Sequence, residues 1–463
     1  GWSLSHLHFR TEGFGEFLRL DNTVWRGVLQ ADISPATRVH LEGREYDSDR
    51  LSILNPADPF NYTPRKIDQH QVTWRFGLHQ RISDSQELLF VHAADYAKYT
   101  IDDLVTPYNP PYAPARRSVR DRVYAPEMQY RYHVATFDFL IGQAYVRAEE
   151  DNDYDAPDLG LMTNEVSLST ARAHYGYARW TPLSGLNLEL GLARERQQNK
   201  SGLNQRLTSP KFGLRWELIP GGTLRLASIR GVNRFQASGA TLEPAQVAGF
   251  NQFYDDRFSR RTVRRGVAWD QRLAQGVSWG IETSRREIGD PSESATPSYT
   301  WWHERQTRAY ANWAIPSALL KESLPGWEGA LSLSHDRTSY LRPANDTGAE
   351  QISDYTPRHL RIGAKLFQAS GFEFDLAATK IRDHGTYQLN DFNTFELYAQ
   401  PFSDSFWVWD AALSYQLPGK RGKITLGGLN LGDRRNSQYL EMDPLAPRFA
   451  SARYVYGKLL LNF

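Results

Sequence analysis

No cysteine occurs in the 463 residues, which excludes thiolate metal sites and any disulfide framework. No run approaches the roughly 18 consecutive apolar residues of a membrane-spanning helix, and the mean hydropathy is negative. An excess of one charge is missing as well: 54 basic residues stand against 53 acidic ones, a formal net charge of +1. Nothing in that balance attracts nucleic acid or an anionic surface. The opening lacks the basic and apolar regions of a secretory signal. No repeat of about 40 to 50 residues recurs, which argues against a propeller, and no linker composition divides the chain into sandwiches. What is abundant is aromatic, with 13 Trp and 24 Tyr. A polar average rich in Trp and Tyr suits a membrane β-barrel, where half of each strand meets lipid and both interfaces take aromatic girdles.

The local pattern agrees. Segments of about ten residues alternate with a period of two, as strands with unlike faces do. Val277, Trp279, Ile281 and Thr283 oppose Ser278, Glu282, Ser284 and Arg286; Phe372, Phe374, Leu376 and Ala378 oppose Glu373, Asp375 and Thr379. Leu186, Leu188, Leu190 and Leu192 oppose Asn187, Glu189 and Glu195; Leu360, Ile362, Ala364 and Leu366 oppose Arg361 and Lys365. Charges of both signs on the second face make that face wet. Short turns at "ISPAT", "ISDSQ", "VAT", "TPLSG", "IPGG", "AQG", "QASG" and "PGKRG", with a longer one at "PSALLKESLPG", alternate with long loops such as 47–70, 99–121, 148–164, 233–258 and 430–451. Short periplasmic turns and long extracellular loops are the asymmetry of an outer-membrane barrel. The expectation is an all-β, antiparallel up-and-down transmembrane barrel of about 20 strands (18 to 22), one domain over 1–463, in the bacterial outer membrane.

The chain ends on "YVYGKLLLNF", a strand whose Phe463, Leu461 and Leu459 share one face. An unprotected terminal edge would template aggregation, so this strand is expected to close against the first. Its terminal aromatic resembles the signal that delivers such proteins to the barrel-insertion machinery.

Two stretches carry a more specific resemblance. "SPKFGLRWELIPGGTLRLASIRGVNRF" (Ser209 to Phe235) is similar to the strand, turn and strand midway through the barrels of TonB-dependent receptors. "LGGLNLGDRRNSQYL" followed by "RFASARYVYGKLLLNF" resembles that family's closing hairpin, with Asn430, Leu431, Gly432 and Asp433 in the position of its Asn-Leu-x-Asp element. "LEPAQVAGFNQFYDD" (Leu242 to Asp256) resembles a subset attached to periplasmic tetratricopeptide-type repeats. The resemblance implies ligand uptake through a lumen gated by a plug, yet neither plug nor energy-coupling box precedes the strand at Trp2. A lumen of this strand number is too wide for its own side chains to fill. The expectation is therefore a plug or periplasmic scaffold outside the sequence, or a plugless export or assembly conduit for a polysaccharide or polypeptide. A family count of 22 strands would mean that an initial hairpin is missing.

Three groups are candidate sites. Glu149, Glu150, Asp151, Asp153, Asp155 and Asp158 crowd one expected extracellular loop, where carboxylate oxygens suit Ca²⁺ or a divalent bridge to lipopolysaccharide, although the glycine of an EF-hand turn is missing. Arg257, Arg260, Arg261, Arg264 and Arg265 form a basic patch fitted to an anionic ligand, polymer or lipid headgroup; Arg261 and Arg265 share one strand face, Arg260 and Arg264 the other. No catalytic set emerges: Ser334, His335 and Asp336 are consecutive on a strand and alternate faces, and Asp383 and His384 fall in an expected loop without a partner. Apart from Ca²⁺ no cofactor is expected, and the partners are outer-membrane lipid and lipopolysaccharide, the insertion machinery and a plug or scaffold, with no nucleic acid.

Overall fold

The computed structural model describes residues 1–11, 19–53, 64–103, 115–157, 160–234, 241–252, 258–273, 276–292, 294–341, 351–390, 397–434 and 453–461. The strands are β1 (Trp2–Thr11), β2 (Leu20–Ser34), β3 (Thr37–Ile53), β4 (Pro64–Ser83), β5 (Gln86–Asp103), β6 (Ala115–Val134), β7 (Phe137–Ala156), β8 (Leu161–Leu183), β9 (Leu186–Asn199), β10 (Asn204–Ile219) and β11 (Gly222–Val232). A two-stranded hairpin follows, β12 (Gln246–Val247) and β13 (Phe250–Asn251). Then come β14 (Arg261–Arg272), β15 (Val277–Pro291), β16 (Tyr299–Ile315), the one-turn helix α1 (Ser317–Leu320), β17 (Trp327–Leu341), β18 (Gln351–Tyr355), β19 (Arg358–Gln368), β20 (Phe372–Asn390), β21 (Leu397–Gln416), β22 (Gly422–Leu429) and β23 (Tyr454–Leu461).

All but the β12–β13 hairpin, 21 strands, belong to one sheet. Both β18 and β19 pair with β17 on one side and β20 on the other, so they are one strand interrupted at Thr356 and Pro357. Counted that way the sheet has 20 strand positions among the described residues. All nine turns expected from the sequence fall on short connections.

The chain separates into two compact units. The first comprises Gly1–Leu214, Ala227–Arg264 and Ile288–Thr300; the second comprises Arg215–Leu226, Arg265–Glu287 and Trp301–Phe463. In the first, β1 to β9 pair each with the next in antiparallel register, as in Glu42 opposite Val28 and Arg75. In the second, consecutive antiparallel ladders run from β16 to β23.

Burial is inverted relative to a protein dissolved in water. On β9, Leu190 and Leu192 are 59% and 50% exposed while Glu189 and Glu195 are each 7% exposed. In the second unit Ile281, Leu333 and Trp409 are exposed while Arg286 and Glu304 are buried. Leaving a leucine in water forfeits roughly 1.5–3 kcal/mol, and burying an acid costs more unless it is paired. Both choices become favourable once the apolar face meets hydrocarbon.

Three of the long loops, 47–70, 99–121 and 148–164, are shorter than expected, while the connections at 233–258 and 430–451 are not. β3 continues to Ile53 and β4 starts at Pro64, β5 continues to Asp103 and β6 starts at Ala115, and β7 and β8 are joined by residues 157–160 alone. About 9–11 residues cross a membrane as a tilted strand, whereas β7 has 20 and β8 has 23. The excess projects into water, where neither face is apolar, so the alternation that marks a strand vanishes while the ladder persists. Leu459 and Leu461 are exposed on β23; Phe463 lies outside the described residues.

Candidate functional site

In the first unit the segment 241–252 lies on the polar face of β6, β8, β9 and β10. Its tip is the β12–β13 turn, where Ala248 and Gly249 have φ of 48° and 83°. Two consecutive positive φ values are what a tight two-residue hairpin needs, and glycine supplies one of them without strain. The flanking Val247 and Phe250 are 0% and 1% exposed. Val247 approaches β10 so closely that a Cβ on Gly213 would sit 2.8 Å from its side chain.

Charged groups hold the segment. Glu127 on β6 accepts hydrogen bonds from the hydroxyls of Tyr175 (2.7 Å) and Thr241 (3.0 Å) and from the backbone N–H of Leu242 (2.9 Å) and Glu243 (3.2 Å). Gln129 Nε2 donates to the Leu242 carbonyl at 2.6 Å, and Glu189 Oε2 accepts from the Ala248 N–H at 3.2 Å. Glu243 is buried against two cations, Lys211 and Arg234, and accepts from the Tyr177 hydroxyl at 2.6 Å. Burial alone would push its carboxyl up, but Arg234 and Lys211 hold it below the ordinary carboxylate value. Arg234 also faces Glu195 at 3.6 Å, whose other oxygen accepts from Ser209 at 2.8 Å. The two tyrosines lie flat over glycines: a Cβ on Gly142 or Gly191 would collide with the rings of Tyr175 or Tyr177. Breaking one member of such a buried charge set costs about 3–5 kcal/mol. Every carboxylate of the set is matched, so the arrangement fastens a segment in place and offers no unmatched acid or base for chemistry.

The basic patch divides as its alternation predicts. Arg260 and Arg264 are buried, Arg261 is half-buried and Arg265 is exposed. Arg264 donates to the Asn251 carbonyl at 3.0 Å and lies 5.4 Å over the Phe250 ring, so it is part of the hairpin's anchorage. Arg260 pairs with Asp290 at 3.0 Å, and Arg261 lies over Tyr299. Arg257 falls outside the described residues. These arginines are used at least in part within the fold, which sequence alone did not reveal.

The acidic group does not occupy a loop. Glu149, Glu150, Asp151, Asp153 and Asp155 lie on β7, where Glu149, Asp151 and Asp155 stand opposite arginines of β6, Glu150 opposite Asp121 and Asp153 opposite Ser118. Arg120 reaches Asp151 at 3.3 Å and Asp153 at 3.6 Å, and Arg122 reaches Glu149 at 3.9 Å. Asp158 lies outside the described residues. Among the described residues the group that could gather metal-ligating atoms is a different one, Glu45, Asp47 and His70 on β3 and β4, with Asp47 2.7 Å from His70 Nδ1. Its cross-strand register was not legible in sequence. His335 alternates away from Ser334 and Asp336, as expected, and Asp336 pairs with Arg308 at 2.6 Å. Asp383 and His384 sit on β20 and not in a loop.

Comparison with known proteins fits this architecture. A sequence model of the family described as "TonB dependent receptor-like, beta-barrel" matches residues 1–240, more than half of the chain. That match includes the whole Ser209–Phe235 stretch but not the closing hairpin, so the likeness reaches further toward the N-terminus than the two motifs suggested. Among solved structures, the copper transporter OprC is matched over 100% of this chain and 76% of its own, at 13% identity and a TM-score of 0.71. The ferripyoverdine receptor of the outer membrane of Pseudomonas aeruginosa is matched over 100% and 67%, at 12% identity and 0.69. The FrpB iron transporter from Neisseria meningitidis is matched over 100% and 77%, at 11% identity and 0.70. At these identities the likeness is one of fold. No curated protein matches the chain. Family and neighbours are receptors and transporters, not enzymes. With its exposed apolar strand faces, its 20 strand positions and this match, the chain is an outer-membrane transport barrel that belongs to the TonB-dependent receptor-like β-barrel family.

Proposed function

We propose that this barrel moves a ligand or polymer across the outer membrane through a polar lumen in which the segment 241–252 is a fixed gate element. The observation that carries the reading is the Glu243 lock: a twelve-residue segment held on the polar face by two cations, a tyrosine and the Glu127 carboxylate. A segment meant only to connect two strands needs none of this, and a lumen of this strand number needs something to occupy it. A hairpin this short fills part of such a lumen, so a plug or a periplasmic scaffold supplies the rest of the gate.

The test is conductance in planar bilayers. Replacing residues 241–252 by a Gly-Ser linker is expected to raise the single-channel conductance several-fold over the intact barrel. Equal conductance in the two forms would remove the gate from the proposal, and a closed barrel in both would make the missing gate a different segment.

A further inference from the structure

A second carboxylate is buried in the second unit under opposite circumstances. Asp383 on β20 is 4% exposed, and neither of its carboxylate oxygens has a hydrogen-bond partner. The Tyr355 hydroxyl lies beside it. Directly across the ladder stands another acid, Asp404, which accepts a hydrogen bond from the Ser405 N–H at 2.6 Å. Two like charges facing each other on a ladder destabilise it, and an uncompensated buried carboxylate costs more still. Two other acids of this face are taken: Asp336 by Arg308 at 2.6 Å and Asp410 by Arg361 at 3.5 Å.

The neighbouring row on the same face is aromatic. Gly385 pairs with Phe402 on one side and Tyr355 on the other, and Tyr355 pairs with Tyr340. The rings form a chain, Tyr340 to Tyr355 at 6.1 Å and Tyr355 to Phe402 at 6.0 Å between centroids. They meet over Gly385, where a Cβ would lie 3.0 Å from the Phe402 ring. A metal cage needs more oxygen or imidazole ligands than two aspartates give, and the described residues assemble three such side chains elsewhere, at Glu45, Asp47 and His70. Carboxylates beside aromatic faces are instead the surroundings that recognise an organic cation, through charge-assisted hydrogen bonds and cation–π contact together.

We infer that Asp383 and Asp404, walled by Tyr340, Tyr355 and Phe402, bind the ammonium or guanidinium group of an organic cation. The inference stands apart from the gate proposed above, because binding is measured on the isolated barrel whether or not it conducts. The full chain in detergent micelles is titrated calorimetrically with butylguanidinium and butylammonium, with butyramide as the neutral control and Ca²⁺ as the metal control. Saturable binding of at least one organic cation is expected, weakened roughly tenfold or more by Asp383→Asn and by Asp404→Asn, and kept by Asp336→Asn, whose carboxylate already has an arginine. Heat-modifiable gel mobility reports folding, and if Asp383→Asn does not fold, Asp404→Asn and Phe402→Leu carry the test. A flat titration with both organic cations, binding of Ca²⁺ alone, or affinity unchanged in the Asn variants would each overturn the inference.

Discussion

Glu243 in the first unit and Asp383 in the second are buried almost equally, at 2% and 4% exposure, and their surroundings are opposite. Glu243 meets Lys211, Arg234 and Tyr177; among the described residues Asp383 meets another aspartate and no cation. Burial alone therefore says little about what an acid does in this protein. The partner set separates an acid that fastens a segment from one that awaits a positive group, because a buried charge is tolerable only when compensated.

The sharpest way to break this contrast is Arg234→Met. It leaves Glu243 and Glu195 buried with Lys211 as the remaining cation, and the barrel is expected to lose about 3–5 kcal/mol in urea unfolding followed by tryptophan fluorescence. A loss no larger than that of a surface pair would erase the difference between the two acids. Asp383→Asn is expected to act with the opposite sign in the absence of ligand, gaining about 1–3 kcal/mol by removing an unmatched buried charge in the same assay. A loss there would mean that Asp383 already has its partner. The smallest effect belongs to the strand ends: Arg120→Ala breaks exposed pairs to Asp151 and Asp153 and should change stability by less than about 1 kcal/mol. A larger change would make the β6–β7 charge ladder a structural element in its own right.

The barrel was legible because lipid forces a strict alternation: Leu186 to Leu192 and Phe372 to Ala378 could be sorted by parity alone. Beyond the membrane that constraint ends, and segments such as 148–156 read as loops although arginines on β6 keep them paired. The gate hairpin was present in the sequence as "VAGF", an Ala-Gly pair between two apolar residues in a polar connection. That signal gives the turn and not its destination, since Glu127 and Glu243 are 116 residues apart. Asp383 reads in the sequence as a loop residue, and the structure moves it to a buried strand, which reverses its meaning.

The length of those separations governs the order of assembly. The anchors of the segment lie on β6, β8, β9 and β10 and on Arg234, so the segment has nothing to dock on until those strands stand side by side. Contacts this distant in sequence form late. The segment can therefore be fastened only after β6 to β10 are paired, so on the reading proposed above the gate element follows the strands that hold it.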